Sequence, residues 1–492
     1  MTDLFSTTTL GSLRLPNRFV RSATWEGLAT DQGEVTEHLT ELLCRLVRGN
    51  VGLIIPGHAY VSAEGQAGPW QLGVHDDSLL PGLKEMCAAV HDLGGVLVLQ
   101  LAHAGAQSPQ KLTGLEPVGP SVVLDAKGRP MCREATQEDM ARIKECFAQA
   151  AGRAKSVGFD GVQLHAAHGY LLSEWLSPHY NRREDDHGGS QFKRTRFVTE
   201  VVQAVRDVVG PGYPVLAKIN ASDFLDHGLE VGQMIESAKA LVAAGLDAIE
   251  LSGGTPQSGK LIPVRPGELQ QPEQEGYYKD AASRLRASVQ VPVILVGGIR
   301  SLETARQVVE GGTADLVSMS RPLIREPFLI RRWQEGDETP SRCVSDNGCF
   351  GPVRRGKGLY CTVEMKKTGR KFVPFPTEGK RGLQGITTDR HQEDAMQELA
   401  RTLVEDVQKR GGDPFSMAYE LTKIYAGSGE PEAKDIPGLF LELYGLFLTG
   451  SPGGSQEGET EGEKPKKGKD KEKEKAKAKK AKEGKGVSHV VD

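Results

Sequence analysis

Eight short apolar runs, each followed by a longer stretch of helical period, predict an α/β chain folded as a (β/α)8 barrel over residues 17–336. Three observations select that fold. The runs are apolar at nearly every position, which suits parallel strands covered on both faces. Eight strand–helix units over this length match a closed barrel. The stretch after the first run, "RSATWEG", lacks the glycine-rich fingerprint that would open a doubly wound sheet.

The runs are "RFVRSA" (18–23), "GLIIPG" (52–57), "GVLVLQLA" (95–102) and "GVQLHA" (161–166). They continue with "PVLAKIN" (214–220), "AIELSGG" (248–254), "PVILVGG" (292–298) and "LVSMS" (316–320). Amphipathic segments such as 140–155 and 234–244 lie between them, punctuated by Gly and Pro. After Trp333 the pattern changes. The predicted organisation is a barrel at 1–340, a Cys-bearing segment at 341–365, a Lys/Gly/Pro-rich linker at 366–390 and a small helical region at 391–450. Asp413 before Pro414 is a good helix start, and Leu399, Leu403 and Val407 form a stripe. Residues 451–492 are Gly, Glu and Lys with almost nothing apolar, the composition of a disordered tail.

At 38% hydrophobic and 26% charged residues, the 492-residue chain can build a sizeable core. Between 464 and 485, 12 Lys stand against 4 acidic residues, so with the whole chain at −4 the remainder carries −12. An acidic body gives no reason to expect nucleic-acid binding, whereas the basic tail suits anionic partners. The N-terminus has no basic stretch leading into an apolar one, and "GLFLELYGLFLTG" (438–450) is too short for a membrane span. Seven Cys in such a chain read as reduced thiols. The expectation is a cytoplasmic protein with no nucleic-acid or membrane partner. A homo-oligomer and a protein partner for the C-terminal helices both remain open.

In a barrel, functional groups project from the C-terminal ends of the strands. The third strand there carries Gln100 and His103, the fourth His165, His168 and Tyr170, and the fifth Lys218. A buried cation at a strand end is costly without an anion, which favours a functional role for Lys218. Gly297 and Gly298 after the seventh strand, with Ser320 and Arg321 after the eighth, form a candidate phosphate site, with a tight turn as the plain alternative. His165 and His168, three residues apart, are open to four readings: metal ligands, a base with its partner, packing residues or a clamp for an anion. A zinc site would want further ligands at other strand ends, and the first strand has no His-x-His.

The segment "HAAHGYLLSEWLSPHYNRREDDHGGS" resembles the signature of the old yellow enzyme family in its bacterial branch. So do "LPNRF", "LQLAHAG" (99–105) and "SRPLIREP" (320–327), and the resemblance extends over roughly residues 3–365. It implies an FMN-binding TIM barrel that takes hydride from NADH or NADPH and passes it to an activated double bond. It further implies that Gln100 and Lys218 meet the flavin pyrimidine, with Lys218 standing where many members carry Arg. Ser22, Ala23 and Thr24 would lie along the ring, and the backbone of Gly57 and His58 would touch it. Trp25 stands where many members place Thr or Cys near the flavin O4. His165 and His168 match the paired donors that hold a substrate carbonyl, and Tyr170 matches a proton donor. The run 181–190 resembles a loop held in salt bridges.

Residues 342–361 resemble the four-Cys cluster segment of larger relatives such as dienoyl-CoA reductases. Cys343, Cys349 and Cys361 are present, but Asp346 stands in place of a fourth Cys, so a four-iron cluster is not expected. The charged tail and C-terminal helices motivate a second functional reading. In it, a barrel with little turnover serves as an interaction or scaffold protein.

Overall fold

A computed structural model describes residues 3–125, 127–267 and 272–368. The expected linker beyond 368, the helices at 391–450 and the tail at 451–492 lie outside the described residues.

Eight parallel strands form the barrel: β1 (Phe19–Arg21), β2 (Leu53–Ile54), β3 (Val98–Ala102), β4 (Gly161–Ala166), β5 (Val215–Asn220), β6 (Ala248–Ser252), β7 (Val293–Val296) and β8 (Leu316–Met319). All eight fall inside the apolar runs of the sequence. Their order is β2-β1-β8-β7-β6-β5-β4-β3. A parallel bridge between Ile54 and Leu97 joins the two ends and closes the ring. A short strand, Ala59–Tyr60, adds to β3 at the rim.

Among the described residues, seven helices of eight or more residues flank the strands: α1 (Glu37–Arg48), α2 (Leu80–Asp92), α3 (Gln137–Val157), α4 (Gln191–Val209), α5 (Val231–Ala243), α6 (Lys279–Arg286) and α7 (Leu302–Glu310). Side chains of Thr36, Thr136, Ser190 and Ser301 cap α1, α3, α4 and α7 by accepting from backbone N–H groups of the first turn. At α3, Thr136 and Asp139 form a reciprocal capping box. That polar first turn explains why the helix starts before Met140, its first apolar contact in the sequence pattern.

Inward-facing residues alternate along each strand, and the barrel interior is layered accordingly. At the bottom, Val20, Leu53, Val98, Leu216, Ala248, Ile294 and Leu316 pack together. The hairpin of Thr8–Leu10 with Leu13–Leu15 plugs this end with Leu10, Leu13 and Leu15. Two residues further up, the interior turns polar: Ser22, Gln100, Lys218, Glu250 and Ser318 are all buried. The apolar floor is therefore sealed, and only the top is open to a ligand.

Leu15 is fully buried in the plug. Leu15→Ala should cost about 2–5 kcal/mol of stability through lost burial and the cavity left behind. Denaturant unfolding measures this; an unchanged midpoint would mean that the hairpin does not seal the barrel.

Candidate active site

The polar layer is organised by one carboxylate. Glu250, fully buried on β6, accepts from Ser22 Oγ at 2.7 Å, Ser318 Oγ at 2.9 Å and Gln163 Nε2 at 2.8 Å. Lys218 Nζ from β5 lies 3.2 Å from Glu250 Oε2 and donates to Ser22 Oγ at 2.8 Å. Gln100 Nε2 donates to Gln163 Oε1 at 2.7 Å, which brings β3 into the same network. The anion that a buried cation requires is supplied within the chain, by Glu250. Burial still pushes the Lys218 ammonium down from its ordinary value, against the pull of Glu250.

Above this layer stand three histidines and a tyrosine. His165, at the end of β4, has a ring centroid 5.1 Å from His168 and 4.7 Å from Tyr170. His165 Nδ1 is buried without a hydrogen-bond partner. His168 sits in the left-handed region at φ 65, where its N–H donates to Asn220 Oδ1 and its Nε2 meets Ser252 Oγ at 2.7 Å. A non-glycine residue in that conformation is held there by its surroundings. The two histidines are therefore unequal, one with an orphaned nitrogen and one already tied to β6. Tyr170 Oη lies 2.9 Å from His58 Nε2. His103 is instead part of the scaffold, with Nδ1 accepting from Gly105 N–H and Nε2 facing Glu64.

Burial disfavours the charged forms of His58, His165 and His168. His58 is pushed down to about 4, first by burial and then by the Lys218 charge. Burial lowers His165 and His168 well below the ordinary histidine value, and each also feels Lys218 and His58. Burial pushes the Tyr170 phenol up.

A cavity of about 300 Å³ opens over these groups. Its walls include Ser22, Ala23, Thr24, His58, Gln100, His165, His168, Tyr170, Lys218, Gly297, Gly298, Ser320 and Arg321. Of the residues expected at the site, Gly57 alone stands behind the wall, its N–H donating to both Glu26 carboxylate oxygens at 2.9 Å. On the same wall, Gly297 (φ 132) and Gly298 (φ 75) need the freedom of glycine. A Cβ on Gly298 would lie 2.6 Å from the Tyr277 ring. Tyr277 Oη is buried there without a partner. Arg321 NH1 is committed to the Arg265 and Ser345 carbonyls and to Asn347 Oδ1. Cys343, Ser345 and Phe350 carry the cavity wall beyond residue 340.

The model of the NADH:flavin oxidoreductase / NADH oxidase family matches residues 3–339. The chain belongs to this family. It is 34% identical over 406 residues to an NADH oxidase of Thermoanaerobacter brockii, an alignment covering 78% of this chain and 61% of that one. It is 36% identical over 329 residues to an NADPH dehydrogenase of Geobacillus thermodenitrificans, covering 66% and 92%. Among solved structures, the old yellow enzyme homologue of Zymomonas mobilis superposes with a TM-score of 0.58 at 25% identity, covering 69% of this chain and 94% of that chain. The chain spans about three-fifths of the length of the NADH oxidase.

The family is FMN- and NAD(P)H-dependent, and the residues of this member fit such a cofactor. His165 and Tyr277, whose Nδ1 and Oη are buried without a hydrogen-bond partner, line the cavity together with Gln100 and Lys218. Cys343, Cys349 and Cys361 line a small cleft with Asp346 beside Arg321, and burial pushes the Cys349 thiol up to about 12. Among the described residues, no group of three or more His, Cys, Asp or Glu is placed to hold a metal ion.

Sequence reasoning passed over Glu250, Gln163, Ser252 and Tyr277. Glu250 had a signal, a lone carboxylate inside the apolar run "AIELS", at the strand register of Lys218. The family loop at 181–190 is tied down by Arg183 to Asp185 and Glu134, and by Asp186 to Lys193.

Glu250→Gln should leave a buried cation without its anion and cost about 3–5 kcal/mol, most of it recovered by adding Lys218→Met. Unfolding of the two variants checks this; a single variant as stable as the parent would refute the charge pair.

The histidine environment gives a pH dependence. Their folded pKa values lie below the ordinary one, so the unfolded chain binds more protons in the interval between. Stability should therefore fall as pH drops from about 6.5 towards 4, the value to which His58 is pushed. Unfolding midpoints that do not move over that interval would mean that the imidazoles are charged in the fold.

Proposed function

We propose that this chain is an FMN-dependent ene-reductase that oxidises NADH or NADPH and reduces a small molecule bearing a double bond conjugated to a carbonyl. The observation that carries this reading is the orphaned, buried nitrogen of His165 beside His168 and Tyr170, on the wall of the same cavity as Gln100 and Lys218. Bound FMN would accept hydride from the nicotinamide and deliver it to the β-carbon of the alkene.

The chain's own residues would do the rest. Gln100 and Lys218 would hold the flavin pyrimidine edge, with Ser22, Ala23 and Thr24 along the ring. Lys218, already balanced by Glu250, offers one ammonium and no forked pair of donors, so it would stabilise negative charge there less directionally than Arg. Gly297, Gly298, Tyr277 and Arg321 would take the phosphate end. His165 and His168, neutral at physiological pH, would donate to the substrate oxygen as enolate charge develops on it. Ser252 fixes the His168 ring, so His165 makes the bond that no protein group now satisfies. Tyr170 would give its proton to the α-carbon. Trp25 and Phe350 supply apolar wall for the substrate body.

The test is spectroscopic. Protein loaded with FMN should be yellow, bleach under anaerobic NADH or NADPH, and regain colour with cyclohex-2-enone. His165→Ala should lower kcat/KM for the enone about 100- to 1000-fold. A chain that binds no FMN, or a reduced flavin that no activated alkene reoxidises, would overturn the reading.

A further inference from the structure

We infer that His58 is the positioning residue of the Tyr170 phenol. Its Nε2–H donates to Tyr170 Oη, leaves the phenolic proton facing the cavity, and holds the oxygen once that proton has gone. The inference rests on the reading of Tyr170 as proton source and adds to it a residue from the loop that follows β2.

Three observations carry it. His58 Nε2 lies 2.9 Å from Tyr170 Oη, and among the described residues it is that oxygen's hydrogen-bond partner. The two rings also stack, with centroids 5.3 Å apart and planes inclined by 25°. His58 is held on both sides of its backbone: Gln71 Nε2 donates to its carbonyl at 3.1 Å, and the preceding Gly57 N–H is gripped by Glu26. Glu26 is itself paired with Arg21 at 2.8 Å, both buried. The backbone that carries the imidazole is thus fixed by a buried ion pair next to it, and the ring meets one phenol.

The chemistry needs such a group. In the proposed step the Tyr170 O–H bond breaks and its electron pair stays on Oη. The new C–H bond forms at the α-carbon from the electron pair of the enolate that hydride delivery leaves, and water later returns a proton to Oη. The phenolate would form in a buried place, where negative charge is costly without a donor. A neutral imidazole has one N–H. Carried on Nε2, it supplies that donor; carried on Nδ1, it would turn the phenolic proton away from the cavity.

The experiment measures turnover of the FMN-loaded full chain with NADPH or NADH and cyclohex-2-enone, in water and in heavy water. His58→Phe should keep the stacking, lose the donor and lower kcat roughly 10- to 100-fold with little change in KM. It should also enlarge the solvent isotope effect. His58→Gln places an amide N–H near the position of Nε2 and should restore most of the rate, which a purely packing role would not allow. In a Tyr170→Phe background, His58→Phe should have no further effect. The inference is overturned if His58→Phe turns over like the parent while Tyr170→Phe is slow, if Gln fails to rescue, or if the two substitutions act additively. A Tyr170→Phe protein as fast as the parent would instead overturn the reading of Tyr170 itself. FMN content of each variant establishes that it has folded.

Discussion

One buried charge pair organises this barrel. Glu250 accepts from Lys218, Ser22, Ser318 and Gln163, and Gln163 accepts in turn from Gln100. Those side chains come from six of the eight strands or from the residue just beyond them. Placing a carboxylate and an ammonium in a dry interior is expensive, and it is tolerated only where further donors satisfy the remaining lone pairs. Here they do, and the result fixes the register of the layer on which the site rests. Apolar residues below this layer could slide or repack at modest cost; the polar layer cannot.

The same pair sets the electrostatics above it. Lys218 is balanced by Glu250, yet its charge is close enough to disfavour protonation of His58, His165 and His168. Burial does most of this work and Lys218 adds to it. The site therefore presents neutral donors over a floor of paired charge, an arrangement suited to negative charge that appears during a reaction and is absent before it. A cluster of charged imidazoles would bind any anion and discriminate less between substrate and transition state.

Much of the fold was legible because its cause is local. Strands buried on both faces are apolar at most positions, and each of the eight runs contained its strand. The candidate site was legible through motifs at strand ends, since a barrel delivers those ends to one rim. What could not be read depends on partners far apart in the chain. His58 and Tyr170 meet across 112 residues, and Arg321 directs one guanidinium nitrogen to acceptors at 265, 345 and 347. Gln163 and Glu250 were hidden for a different reason, because a polar residue on a buried strand looks like noise until the facing strands are known. Lys218 was noticed, but its anion sat one strand away under the same disguise.

The bonds of Arg321 bear on how such barrels can be recombined. Its guanidinium clasps the carbonyl of Ser345 and the side chain of Asn347, both in left-handed backbone at φ 52 and φ 58. Cys343, Ser345 and Phe350 from the same stretch form part of the cavity wall. The segment that follows the last strand is therefore not an adaptor that can be exchanged for that of another barrel. A chimera joined at the end of β8 would import a foreign wall and leave Arg321 with no acceptors from that stretch, whereas a junction beyond Phe350 would carry the pocket across intact.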